Sequence, residues 1–197
     1  MIGKHYSGAK ALGYEVHRRE QSKWKWERKV MARILDNLGG EIKSIIDAPV
    51  GTGRFLNLYR VPVTGFDNSK DMLARARLKG SGAILLKHDL ITRELLAWAD
   101  LVVCFRFLNL ITTKNAQIVL RRLLEAANKY AVFTVRTVKD GYSSKMSVGR
   151  VFLHRRGAIE KTIVQGGFEI IRRYLFKDAV PGNYDIVLCK RIEDRSE

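Results

Sequence analysis

The chain has 197 residues, enough for one full-sized α/β domain and too few for two ordinary ones. Hydrophobic residues make up 46% and prolines number three, which fits a packed core and excludes disorder. No apolar run approaches the roughly 20 residues of a membrane helix. Thirty-six Lys and Arg against 20 Asp and Glu leave a net charge of +16.

The surplus is spread along the chain, at Arg18-Arg19, 23–29, Arg75, Arg77, Lys79, Arg121-Arg122, Arg155-Arg156, Arg172-Arg173 and Lys190-Arg191. Such a surplus suggests a polyanionic partner, nucleic acid first and an anionic glycolipid or membrane surface second. The plainer alternative is a basic surface that serves solubility alone. The N-terminus, Met1-Ile2-Gly3-Lys4-His5-Tyr6, has no apolar signal core, so a cytoplasmic location is expected. Cys104 and Cys189 each lie in an apolar run and read as buried free thiols. No Cys/His cluster has metal-ligand spacing, and no metal is expected.

Residues 1–21 are polar and aromatic with poor periodicity, and read as an N-terminal extension or lid in which Tyr6 and Tyr14 could cover a ligand. The folded domain is expected over 22–197. Ser22 is placed to cap a helix whose apolar residues Trp26, Val30, Ile34 and Leu38 recur at helical spacing. Trp24 and Trp26 alternate with Lys23 and Lys25, which could stack bases, but an inward Trp26 with solvated lysines is the simpler reading. Gly39-Gly40 ends the helix.

Short apolar runs follow at 42–48, 61–66, 83–87, 101–105 and 131–135, with helical patterns near 53–60, 70–79, 92–98 and 113–128. Alternation of this kind predicts a parallel sheet with helical crossovers. A helix near 155–165 then leads through Gly166-Gly167 to 168–176, and Pro181-Gly182-Asn183 joins that strand to 184–191. Pro-Gly-Asn is strong turn chemistry, so an antiparallel hairpin is expected. The fold class is α/β, a three-layer α/β/α domain with seven strands, five parallel and a final hairpin.

Two motifs carry chemistry. In the first, the strand Ile45-Ile46-Asp47 runs into Ala48-Pro49-Val50-Gly51-Thr52-Gly53. Glycines let a ligand approach the backbone, and a helix beyond them would offer free N–H groups. The second lies 20 residues on, where Asp67 ends Gly65-Phe66-Asp67 at the spacing of a ribose-binding carboxylate. A dinucleotide site favours a third glycine, and that position here is Leu56. Asp47 would repel a pyrophosphate but suits the ammonium of an amino-acid tail. The departure points to S-adenosylmethionine.

These residues resemble the class I, Rossmann-like S-adenosylmethionine-dependent methyltransferase superfamily, over about 40–192. Asp47-x-x-x-Gly51-x-Gly53 resembles its first motif, and Asp67-Asn68-Ser69-Lys70-Asp71-Met72 its ribose ligand and following helix start. The resemblance implies strand order 3-2-1-4-5-7-6 and S-adenosylmethionine as cofactor. It implies cofactor contacts at Asp47, Gly51, Thr52, Gly53, Asp67, Asn68 and Met72. Further contacts are implied at Asp89 and Leu90, where Asp89 meets the adenine amino group, and at Cys104 and Phe105 at the end of the fourth strand. The Cys104 thiol itself reads as inert core.

The acceptor is not named by any of this. After the fourth strand the chain reads Arg106-Phe107-Leu108-Asn109, without the Asn/Asp-Pro-Pro-aromatic sequence of base amino-methyltransferases. No Pro-Cys dipeptide suggests C5-cytosine chemistry, and many small-molecule relatives have His near Asn109. Arg106 and Asn109 are expected to orient the acceptor, Arg106 through its fork for an anionic group. The polar loop over 138–148 is a second acceptor wall or an ordinary connection. His154 beside Arg155-Arg156 reads as a solvated helix start, and His88 as a filler beside Asp89. Three functions stay open: methyl transfer to a polyanion, methyl transfer to a small molecule, and a non-catalytic cofactor-binding or nucleic-acid-binding subunit.

Overall fold

The computed structural model describes residues 21–142, 147–148, 151–178 and 180–193. The expected lid over 1–21, with Tyr6, Tyr14, Arg18 and Arg19, lies outside these except for Gln21. The chain divides after Arg93 into two compact units.

The first unit opens with helix α1, Ser22–Leu38. Its buried stripe is Trp24, Glu27, Val30, Met31, Ile34 and Leu38. Trp24 takes the inward place expected for Trp26, which is only half-buried. Steps of four from Trp26 drift about 40° per step around the axis, whereas mixed steps of three and four keep one face. Ser22 does not cap α1. The capping position is Gln21, whose side chain makes no capping bond. Gly39, at φ 44°, ends the helix with its N–H on the Leu35 carbonyl.

Strands β1 (Ile45–Asp47), β2 (Val63–Asp67) and β3 (Ile84–Lys87) pair in parallel in the order β3-β2-β1, with Asp47 opposite Gly65 and Asp67 opposite Lys87. Helix α2, Lys70–Arg77, connects β2 to β3. Ser69 caps it by accepting from Met72 N, and Asp71 in the first turn with Arg75 and Arg77 in the last complement its dipole.

Two expected helices are not formed. The chain over 53–60 turns tightly and makes one 3-10 turn at Leu56–Leu58. Gly53 sits at φ 74°, and Pro62 disfavours helix at the residue before it, so few residues remain for a helix. The segment 92–98 is also non-helical. Leu96 and Trp98 are 80% and 68% exposed, so no buried apolar face rewards a helix there.

The second unit holds β4 (Ala99–Cys104), α3 (Thr113–Ala126), β5 (Ala127–Val138), β6 (Ser147–Val148), β7 (Val151–Phe152), β8 (His154–Arg155), α4 (Arg156–Gln165), β9 (Phe168–Phe176) and β10 (Asn183–Arg191). β4 pairs in parallel with β5, and β10 is antiparallel to both β5 and β9. The order is β4-β5-β10-β9, so the two units carry the expected 3-2-1 and 4-5-7-6 in turn. The short strands β6 to β8 lie where a loop and a helix start were expected. β6 and β7 pair with each other, and β8 pairs with the end of β5.

The β9–β10 turn is held by a buried cation. Arg136 on β5 donates to the carbonyls of Val180, Pro181 and Gly182 and to both carboxylate oxygens of Asp178, at 2.7–3.3 Å. Gly182 is at φ 81°, where an added Cβ would lie 2.6 Å from the Thr137 carbonyl oxygen, so a side chain does not fit.

In the first unit the counterpart is Glu27, fully buried on α1 and 2.7 Å from the Arg54 guanidinium. Removing one partner of a buried pair leaves an uncompensated charge. Glu27→Ala is therefore expected to lower unfolding free energy by about 3–5 kcal/mol, measured by urea denaturation. A change under about 1 kcal/mol, the size of an exposed pair, would show that the contact is not buried in solution.

Candidate functional site

The first unit collects the cofactor residues expected within it. Asp47 ends β1 and is 3% exposed. Its Oδ2 accepts from the Tyr59 hydroxyl at 3.0 Å. Burial pushes the carboxyl up from 3.8 to about 7, against the Tyr59 hydrogen bond and the Arg54 charge, with Asp67 adding to the rise. The Tyr59 hydroxyl is itself raised, by burial and by Asp47, and stays a donor.

The loop after β1 runs alongside the end of β2. Val50 N donates to the Phe66 carbonyl at 2.8 Å, and Gly51 N donates to Asp67 Oδ2 at 2.9 Å. Gly51 is at φ 57°, and a Cβ added there would meet nothing within 4 Å, so its face opens on unfilled space. Gly53 differs. Its missing side chain is replaced by Leu56 Cδ1 and Ala76, at 2.6 and 3.2 Å from an added Cβ, which packs the loop on α2. Thr52 is buried between them.

Asp67 ends β2. Its Oδ1 accepts from Ser69 N at 2.8 Å while Oδ2 takes Gly51 N. Burial raises its pKa, and the backbone donors of Ser69, Gly51 and Asn68 oppose the rise. A carboxylate has about four lone-pair sites, so the three backbone donors leave capacity for a further hydroxyl. Asn68 Nδ2 donates to Asp89 Oδ2 at 3.2 Å, and Asp89 Oδ1 accepts from Ile91 N at 2.9 Å. The segments that follow β2 and β3 are thus joined by a hydrogen bond. Met72 and Leu90 are buried. His88 stacks edge-on to Phe66, with centroids 5.5 Å apart.

Sequence reasoning did not find Tyr59, Arg54 or Glu27. Arg54 lies over the rings of Trp24 at 4.3 Å and Phe55 at 4.1 Å, and its carbonyl accepts from Arg28 at 2.7 Å. The available signal was Glu27 itself, an acid in register with the apolar stripe of α1, which calls for a buried partner.

In the second unit Cys104, the last residue of β4, and Phe105 are buried. Neither cysteine forms a disulfide. Arg106 has φ 57°, uncommon for a residue with a side chain, and its N–H donates to Thr134 Oγ1 at 2.6 Å. Asn109 lies in the 3-10 turn Leu108–Leu110, 8% exposed, with Oδ1 lacking a hydrogen-bond partner among the described residues.

His154 is not solvated. It is fully buried on β8, with Nε2 2.9 Å from the Leu108 carbonyl oxygen and Nδ1 3.1 Å from Thr113 Oγ1. A carbonyl can only accept, so Nε2 carries the proton and Nδ1 accepts from the hydroxyl. Burial depresses its pKa and keeps the ring neutral. Thr134 and His154 thereby hold the segment 105–110 at two points. Among the described residues no group of His, Cys, Asp and Glu could hold a metal ion, and no helix is long and apolar enough to cross a membrane.

No family model and no curated protein sequence matches the chain. Solved structures do. Magnesium protoporphyrin IX methyltransferase from Synechocystis PCC 6803, with SAH bound, superposes at TM-score 0.76 and 17% identity, over 96% of this chain and 98% of that one. An S-adenosylmethionine-dependent methyltransferase from Clostridium acetobutylicum superposes at 0.68 and 13%, over 92% and 97%. An amino pentose methyltransferase from Micromonospora echinaspora, with SAM bound, gives 0.68 and 18%, over 94% and 98%. The chain has the class I methyltransferase fold, mixed α/β with a mostly parallel sheet and an antiparallel C-terminal hairpin.

The raised Asp47 carboxyl makes a stability prediction. Its pKa is about 7 folded and near 3.8 unfolded, so the folded state holds the extra proton between these values. Its contribution is fully present below about pH 4 and is lost as pH rises through about 7. The whole shift is roughly 4 kcal/mol. Asp47→Asn is therefore expected to melt above the wild type at pH 8, with the difference shrinking as pH falls below 7 and vanishing only below about pH 4. Thermal scans across that range check it, and a pH-independent difference would contradict the buried titration.

Proposed function

We propose that the chain binds S-adenosylmethionine in its first unit and is a methyltransferase. The carrying observation is Gly51, which has an open face and an N–H bonded to the buried Asp67 carboxyl, on the loop that follows the buried carboxyl of Asp47 at the end of the adjacent parallel strand. Such a cradle fits the cofactor's chemistry. Asp47 would take the ammonium, Asp67 a ribose hydroxyl, and Asn68 with Asp89, Met72 and Leu90 the adenine end. Thr52 and Gly53 support the loop, and Cys104 and Phe105 are proposed as further contacts.

When bound, the cofactor supplies a methyl group already activated on a sulfonium, so the protein's task is alignment and exclusion of water. Leu56, buried and packed on the position of Gly53, occupies the place of a dinucleotide site's third glycine. That supports this cofactor over NAD.

Asn109 is proposed to orient the acceptor and Arg106 to hold its negative group. The unpartnered buried Oδ1 of Asn109 supports this, because an orphaned polar atom in a dry site calls for a ligand. The net charge of +16 supports a polyanionic acceptor, RNA or DNA. A small-molecule acceptor is the second reading, favoured by the neighbours named for a porphyrin and an amino pentose.

Calorimetry tests the cofactor. S-adenosylmethionine and S-adenosylhomocysteine are expected to bind and NAD not to bind. Asp67→Ala should weaken binding by about 1.5–3 kcal/mol, a hydrogen bond to a charged group. Binding of NAD at the same site would overturn the assignment.

Methyl-labelled cofactor incubated with fractionated cell extract tests the acceptor. Label in the nucleic-acid fraction supports the first reading, label in the low-molecular-weight fraction the second, and no label in any fraction contradicts catalysis. Asn109→Ala should leave cofactor affinity within about threefold, below the 1.4 kcal/mol of a tenfold change, yet cut labelling strongly. Unchanged labelling would move the acceptor site elsewhere.

A further inference from the structure

The Asp47 carboxyl is buried. Tyr59 donates to Oδ2 at 3.0 Å, and this is the side-chain hydrogen bond that acts on the carboxyl. The charged and titratable groups that act on it are Tyr59, Arg54 and Asp67. Arg54 is committed elsewhere, ion-paired to Glu27 at 2.7 Å and stacked on Trp24 and Phe55. Asp67 repels it and is itself held by Gly51 N and Ser69 N. A buried carboxylate so placed must acquire either a proton or a cation.

We propose that Asp47 gives up a proton to solvent when the ligand's ammonium takes its place, and that Tyr59 is the positioning residue that keeps Oδ1 for that ammonium. This rests on the cofactor reading above. No covalent bond changes except the carboxyl O–H, whose proton leaves as the ammonium N–H begins to donate to the same oxygen. The carboxyl titrates at about 7, which puts the exchange in the neutral range. Tyr59 is raised and keeps its own proton, so it donates to Oδ2 in both states.

Two probes separate the amino-acid end from the nucleoside. S-adenosylhomocysteine carries the ammonium, and 5′-methylthioadenosine lacks the amino-acid end. Calorimetry at pH 7.5 and pH 6, in buffers of different ionisation enthalpy, reads affinity and proton release together. S-adenosylhomocysteine is expected to bind about tenfold more weakly at pH 6, with close to one proton released per site. Methylthioadenosine should bind equally at both pH values. Tyr59→Phe removes a donor to the ionised form, so the midpoint for S-adenosylhomocysteine should rise by about one pH unit. Asp47→Asn should abolish the pH dependence and the proton release.

Equal pH dependence for the two probes overturns the proposal while leaving the cofactor reading intact. So does a Tyr59→Phe midpoint at the wild-type value. If Tyr59→Phe does not fold, the proton count and Asp47→Asn decide. Failure of both probes to bind the wild type at pH 7.5 overturns the cofactor reading, and this proposal with it.

Discussion

The first unit depends on one carboxylate that serves backbone donors from two segments of the chain. Asp67 accepts Gly51 N from the loop after β1 and Ser69 N from the start of α2. Without an acceptor there, buried N–H groups would be unpaired, at a cost of about 1–3 kcal/mol each. The bond to Gly51 aligns the glycine loop with the end of β2. The bond to Ser69 sets the turn from which the Ser69 hydroxyl caps α2. Asn68, between the two, reaches Asp89 beyond β3. A parallel sheet brings these strand ends to one side, and the acid at the end of β2 ties the segments that follow them together.

The same economy explains Asp47. A carboxyl that is buried, hydrogen-bonded by Tyr59 and denied a direct cation is unfavourable for stability, because desolvation outweighs that donor. Glu27 contributes to that state by holding Arg54 in an ion pair of its own. Helix α1 is therefore tied electrostatically to the loop that carries the site, as well as packed by Trp24. Strongly perturbed carboxyls of this kind cluster at functional sites.

Basic composition is not the same as basic surface. Arg54 and Arg136 are largely buried, Arg54 ion-paired to Glu27 and Arg136 holding loop carbonyls in place. Arg173 pairs with Glu160 and Asp185. Arg191 donates to the carbonyls of Leu124 and Ala127 at the end of α3 and lies over Phe168 at 4.6 Å. Arginine suits such places because its planar fork satisfies several carbonyls at once. Arg173 and Arg191, each from one of the basic pairs noted along the chain, thus act partly inside the fold. The polyanion reading rests on the net charge that remains after these cations and their acids are taken together.

The strand order was implied only by the family resemblance, whereas the sequence by itself determined which runs become strands, the hairpin and the placement of the glycine loop and Asp67. These are local signals, an apolar run, a turn triplet and an acid at a fixed spacing, and they need no knowledge of distant contacts. It did not determine whether 53–60 and 92–98 would be helical. That depended on whether Leu96 and Trp98 found a face to bury against, and on the positive φ of Gly53 close to Pro62. Nor did it place Trp24 inward, bury His154 between Thr113 and Leu108, or bring Tyr59 to Asp47. Each of these pairs residues separated along the chain, and only tertiary packing decides which polar groups lose water and must find one another.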